Sequence, residues 1–168
     1  MFLIFQVATV FLVSVTMSLA LAHALELPGK LRLGRENYIA MQSIYYPGFF
    51  YGGFSEGLGI LATLVLLLLT PRRSPRFWWT LAGLVALLAM HAVYWIFTHP
   101  VNKLWLEGQH LKGVGAGFFS SDPMKRGSVA EKGADDWTRF RNQWEYSHAL
   151  RAILSAIALF ALFVAIAI

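Results

Sequence analysis

The sequence predicts an all-α integral membrane protein, a bundle of four transmembrane helices in a single domain, residues 1–168. Two observations carry this. Of the 168 residues, 57% are apolar and the mean hydropathy is +0.56, above the range of soluble domains. The apolar residues also gather in four blocks, each near the roughly 20 residues that cross about 30 Å of hydrocarbon. The expected spans are 2–25, 45–70, 77–98 and 147–168, joined by outer loops 26–44 and 99–146 and a short loop 71–76.

The first block is apolar except for Gln6, a few hydroxyls and His23. Ala20-Leu21-Ala22 and Ala22-His23-Ala24 resemble signal-cleavage sites. No Lys or Arg precedes the block, and its apolar run exceeds a signal core, so it is read as a retained helix. Pro28-Gly29 should end that helix, since proline cannot continue it and glycine takes the turn. The second span opens with a Gly- and Tyr-rich stretch, is interrupted by Ser55-Glu56-Gly57, and then runs apolar from Leu58 to Leu69. Its glycines suit close helix packing. Pro71 to Arg76 carries Arg72, Arg73 and Arg76 with no acid, which marks a cytoplasmic loop. Both termini then lie in the cytoplasm and both long loops outside, in a bacterial inner membrane.

The third span opens at Phe77 with Trp78-Trp79 as interfacial anchors, and Pro100 should break it at the outer surface. The second long loop is rich in Gly, Lys and Asp, shows no hydrophobic period, and is expected to carry little regular structure. The last span follows Arg141 to Arg151, a stretch dense in ionisable and aromatic side chains. Read as helix, it stacks Glu145, His148 and Arg151 on one face.

Composition removes several functions. Cysteine is absent, so disulfides, thiolate metal sites and cysteine nucleophiles are excluded. The net charge of +5 is spread over three loops without a basic run, and calls for no nucleic-acid partner. No serine sits in a nucleophile elbow. The partners expected are the lipid bilayer, a small hydrophobic aromatic ligand, and a membrane-protein partner or second copy.

Depth along the spans groups the remaining polar residues. His91 lies 14 residues after Phe77, and Glu56 lies 14 residues before Thr70. At 1.5 Å per residue both stand about 21 Å above the cytoplasmic ends. His23, Glu26, His99, Glu145 and His148 form a rim above them. An acid at mid-membrane costs on the order of 3 kcal/mol, so Glu56 must face the bundle with a partner. His91 is the first candidate, with Arg151 or a tyrosine as alternatives. His91, Trp95 and His99 recur every four residues and give the third span one polar-aromatic face. Tyr45, Tyr46 and Tyr51, with Trp95, His99 and Trp144, are candidates to line an aromatic-substrate pocket.

His23-x-x-Glu26 and Glu145-x-x-His148 have the spacing used by carboxylate-bridged di-iron bundles. One pair is reversed, so a bound iron or copper at His23, Glu26, Glu145 and His148 stands beside a purely structural hydrogen-bond network. Haem is a third option, though no c-type attachment motif is present.

Three pieces of the chain carry a resemblance: His23-Ala24-Leu25-Glu26-Leu27-Pro28-Gly29-Lys30, His99-Pro100-Val101-Asn102-Lys103, and Trp144-Glu145-Tyr146-Ser147-His148-Ala149-Leu150-Arg151. Together they resemble the four-span membrane family known as domain of unknown function 1772, which includes the anthrone oxygenases of aromatic polyketide pathways. The resemblance implies oxidation of an activated phenolic carbon by O₂. His91 or His148 would act as base and Arg151 and Asn102 would stabilise the oxyanion, with Glu56 counted among the catalytic residues and converging with the histidines on the cavity. Such substrates react with O₂ without a cofactor, and a metal in the Glu/His cluster is the alternative source of activation. A non-catalytic accessory or small-molecule-binding protein is the other function class. It would turn the small residues Gly48, Gly52, Ser55 and Gly59 outward to a partner.

Overall fold

A computed structural model describes residues 1–106, 114–120 and 136–168. In chain order the helices are α1 (Phe2–Lys30), α2 (Arg35–Gln42), α3 (Gly48–Leu69), α4 (Pro75–Val93), α5 (His99–Leu106), α6 (Val114–Ser120) and α7 (Trp137–Ala167). A π-helical turn, Tyr94–Thr98, joins α4 to α5, and a 3₁₀ turn, Ser43–Tyr45, precedes α3. Four helices are long and apolar enough to cross a membrane: α1, α3, the run Pro75–Asn102, and α7. No strand occurs among the described residues. The chain is a four-helix membrane bundle.

Two halves of the bundle differ in kind. Near the short 71–74 turn the interior is apolar: Val10 and Val13 of α1, Leu87 of α4, and Ala158, Leu159 and Leu162 of α7 form one buried cluster. Gly83 lets α4 approach α7 closely, since a Cβ there would lie 3.2 Å from Leu162 and 3.4 Å from the Ala158 carbonyl. Gly52 and Gly59 do the same for α3, where a Cβ would meet Leu19 at 2.7 Å or Val13 at 3.4 Å of α1. Ser55 hydrogen-bonds Thr16 across the same seam at 2.9 Å. The small-residue face of α3 is therefore spent inside the bundle at Gly52, Ser55 and Gly59 rather than turned outward. Large apolar side chains such as Leu61, Leu68, Phe160 and Phe163 cover the outside, as lipid contact requires. Ser74 caps α4 by accepting from the Arg76 backbone N–H, with Pro75 at the first helical position.

The other half differs from expectation in its boundaries. α1 runs through Pro28 to Lys30, because a proline near a helix end removes one hydrogen bond only, and buried contacts of Lys30 hold the last turn. The third span also continues past Pro100. Pro100 lacks an N–H and would crowd the carbonyl four residues back, and the wider π turn at Tyr94–Thr98 absorbs this. That turn leaves the Phe97 carbonyl to accept from Gln143 Nε2 of α7 at 2.9 Å. α3 begins at Gly48, and α7 begins at Trp137, well before the span expected from 147. α3 passes straight through Ser55-Glu56-Gly57, where its apolar run is interrupted. Both long loops carry helix: α2 lies in the first, α5 and α6 in the second. The rest of the second loop, 107–113 and 121–135, lies outside the described residues.

Candidate functional site

Toward the long-loop end, polar faces of α1, α3, α4 and α7 meet around a cavity of about 530 Å³. Tyr45, Phe49, Phe50, Trp95, Trp105 and Trp144 make most of its wall aromatic. Two charged clusters border it.

The first is built on Glu56, buried on α3. One carboxylate oxygen accepts from Arg151 Nη2 of α7 at 2.6 Å, and the other is 2.9 Å from His91 Nδ1 of α4. Trp95, one turn beyond His91, donates from Nε1 to His91 Nε2 at 2.9 Å. An indole nitrogen only donates, so Nε2 holds a lone pair and the imidazole proton resides on Nδ1. His91 is thus a neutral ring, oriented by a carboxylate on one side and capped by an indole N–H on the other. Arg151 also donates from Nη1 to His148 Nδ1 at 3.3 Å, which puts the His148 proton on Nε2. That Nε2 and Arg151 Nε are both buried and have no hydrogen-bond partner among the described residues.

The second cluster is built on Lys30, only 2% exposed at the end of α1. Its Nζ lies 3.0 Å from Glu26, 3.4 Å from Glu145 of α7 and 3.3 Å from His23 Nδ1. The Tyr45 and Trp144 rings face it at 4.8 and 5.0 Å. Glu145 is fully buried and takes a second hydrogen bond, at 2.8 Å, from the Tyr38 hydroxyl of α2. Burial and then the Glu145 carboxylate push the Tyr38 phenol well above its ordinary range, so it stays a donor. Glu26 also accepts from the Tyr45 hydroxyl. The two clusters touch through stacked imidazoles: the His23 and His148 rings lie 4.0 Å apart, and Trp144 lies 4.3 Å from His148.

Most sequence-predicted residues converge here. Glu56, His91, Asn102, His148 and Arg151 all line the cavity, as do Tyr45, Tyr46, Trp95, Trp144 and His23. Three positions differ. Tyr51 is 66% exposed, because it follows Phe50 by a third of a helical turn and points away from the bundle. His99 is buried behind the wall, bonded through Nδ1 to the Tyr94 hydroxyl at 3.2 Å and in tilted contact with the Trp95 ring at 4.8 Å. Asn102 lines the cavity but is engaged: Oδ1 accepts from Trp144 Nε1 at 2.8 Å, and Nδ2 reaches the Tyr94 hydroxyl at 3.5 Å.

The quartet considered for a metal is arranged around a side chain. His23, Glu26 and Glu145 do converge, and the Lys30 ammonium sits where they meet. Among the described residues no three His, Asp or Glu side chains form a group able to hold a metal ion. The i+4 and i+7 spacing of Lys30 from Glu26 and His23 pointed to this, but only on a helix that passes Pro28. Tyr38 and Tyr94 were also missed.

Comparison with curated proteins and with solved structures gave no match. The model of the Anthrone oxygenase family matches residues 41–161, which spans α3, α4 and most of α7 and includes Glu56, His91, His148 and Arg151. With that match covering well over half of its length, the chain belongs to the anthrone oxygenase family.

Proposed function

We propose that the protein is a membrane oxygenase that inserts one oxygen atom of O₂ at the activated carbon of a small hydrophobic aromatic of the anthrone type. The carrying observation is the Glu56–His91 pair opening on an aromatic cavity. Its volume of about 530 Å³ falls within the range of small-molecule sites.

In this reading His91 is the base. The substrate takes the place of the Trp95 indole at Nε2, and the ring methylene opposite the carbonyl gives its proton there. The imidazolium so formed is stabilised by Glu56, already hydrogen-bonded at Nδ1. The electron pair moves to the carbonyl oxygen, making a phenolate whose charge is offset by the Arg151 guanidinium and the unused His148 Nε2–H. His148 is thereby a donor rather than a base, since Arg151 occupies its lone pair. The electron-rich carbon is oxidised by O₂, forming a C–O bond to a hydroperoxide. Loss of water leaves a carbonyl where the methylene was. Four electrons leave the methylene carbon and O₂ accepts them: one oxygen atom stays in the quinone and the other departs as water.

The orientation that accompanies this reading puts the 71–74 turn and both termini in the cytoplasm, supported by Arg72, Arg73 and Arg76 beside that turn. A non-catalytic binding role is the second reading, favoured by the mutual pairing of Glu56 with His91 and Arg151. Oxygen uptake by the purified protein with anthrone separates the two. Stoichiometric O₂ consumption and quinone formation, lost in His91→Ala, are expected. Saturable anthrone binding without O₂ uptake would instead establish the binding role.

A further inference from the structure

The cavity wall is covered unequally. Its residues on α1 and α7, among them Ala20, His23, His148 and Arg151, are buried apart from half-buried Leu19. So are Gln42 and Trp105 at the long-loop end. The exposed lining residues are Gly53, Phe54 and Gly57 of α3, together with Phe118 of α6. Facing α3 from α4, the His91 side chain is 43% exposed. Gly53, Phe54, Gly57 and His91 all belong to spans able to cross the membrane, so the medium they meet is hydrocarbon.

Gly53 and Gly57 lie four residues apart on one face of α3. Small residues at this spacing usually admit a second helix. Here a Cβ at either glycine would meet nothing within 4 Å, in contrast to Gly52 and Gly59, which press on α1. The absent side chains leave a gap in the wall instead of making a contact.

We infer that the cavity opens sideways into the bilayer, between α3 and α4, and that its ligand is an apolar ring compound that reaches it dissolved in the membrane. Gly53 and Gly57 set the width of the opening, and with it the size of ring that passes. This route holds whether or not the cavity oxidises its contents.

The chain has no cysteine, so Ala20→Cys gives a single thiol on the far wall of the cavity. In phosphatidylcholine vesicles its labelling is compared for bilayer-soluble N-phenylmaleimide and a sulfonated, membrane-excluded maleimide, each normalised to the exposed reference Glu36→Cys. The apolar reagent is expected to react at least about tenfold faster, because a fixed charge is strongly excluded from hydrocarbon. Adding Gly57→Phe should slow that reaction severalfold, while Gly48→Phe, equally uncrowded but outside the cavity wall, should leave it unchanged. Unaltered melting temperatures of both variants would show that the bundle is intact. Equal normalised rates for the two reagents, no labelling by the apolar one (as when a second copy covers the gap), or indifference to Gly57→Phe would overturn the inference. A positive result combined with no O₂ uptake on anthrone would leave the route standing and defeat the oxygenase reading alone.

Discussion

The Trp95 indole donates to His91 Nε2 at 2.9 Å, so the base proposed for the reaction is masked by its own neighbour one helical turn away. Its other nitrogen is held by Glu56 at the same distance, and the ring cannot rotate without losing both contacts. Substrate binding must therefore exchange one hydrogen bond for another at Nε2. The exchange is local, since Trp95 and His91 both line the cavity.

Trp95→Phe keeps the aromatic wall and removes the N–H. It is expected to retain or raise kcat for anthrone oxidation, whereas His91→Ala should lower it by roughly 10²–10⁴, the usual worth of a positioned base. Steady-state oxygen uptake by both variants checks this. A Trp95→Phe enzyme as inactive as His91→Ala would mean that the indole N–H is itself required.

Glu56→Ala leaves the Arg151 guanidinium buried without its carboxylate. Breaking such a pair costs about 3–5 kcal/mol. Glu36→Ala, on the exposed first turn of α2, should stay within about 0.5 kcal/mol of the parent. Thermal unfolding in one detergent compares them directly, and similar tolerance of both would remove the buried pair from the description of the fold.

The depth argument that paired Glu56 with His91 worked because regular helix runs unbroken from the 71–74 turn to each of them, so rise per residue is reliable. Four spans were legible for the same reason: apolar blocks leave no other arrangement in lipid. The rim was less legible. His23, Glu26 and Glu145 form a group that the sequence suggests, with a metal or a hydrogen-bond network as alternatives, but the Lys30 ammonium among them is hidden by the expectation that Pro28 ends α1. Proline rules describe an average cost, and here the burial of Lys30 against Glu145 outweighs it. Nothing in the sequence showed that α2 would fold back and bring Tyr38 onto Glu145, since that contact joins residues 107 apart.

Lys30 supports a third prediction. Lys30→Met should destabilise the protein by about 3–5 kcal/mol, because Glu145 is fully buried and would keep an uncompensated charge. Lys30→Met combined with Glu145→Gln should recover most of that loss, the neutral amide still accepting from Tyr38. Chemical unfolding of the single and double variants measures the coupling, and strictly additive effects would contradict it.

Tyr38 sets the behaviour at high pH. Its phenol is raised in the folded state, first by burial and then by Glu145, while the unfolded chain releases that proton near the ordinary value of about 10. Between those two values the folded state binds more protons than the unfolded state, so stability falls as pH rises above about 10. Below about 10 both states keep the proton and the contribution is level. Tyr38→Phe should flatten the alkaline decline, as read by melting temperature across that pH range. Identical alkaline melting profiles for the parent and Tyr38→Phe would count against it.

The apolar half offers a test of packing alone. At Gly83 a Cβ would stand 3.2 Å from Leu162 and 3.4 Å from the Ala158 carbonyl, and the carbonyl belongs to the α7 backbone, which cannot rotate aside as a side chain can. Gly83→Val must therefore push α4 away from α7, a change worth about 1–3 kcal/mol in an overpacked interior. Its branched side chain also adds no helix propensity that would offset this fully. Because Gly83 lies two turns below His91 on the same helix, the displacement should reach the His91–Glu56 distance as well. Gly83→Val is thus expected to lower both melting temperature and anthrone turnover, while Gly57→Phe lowers access to the cavity and leaves melting unchanged. Separate loss of stability and of access in these two variants would distinguish the packed seam of the bundle from its open one.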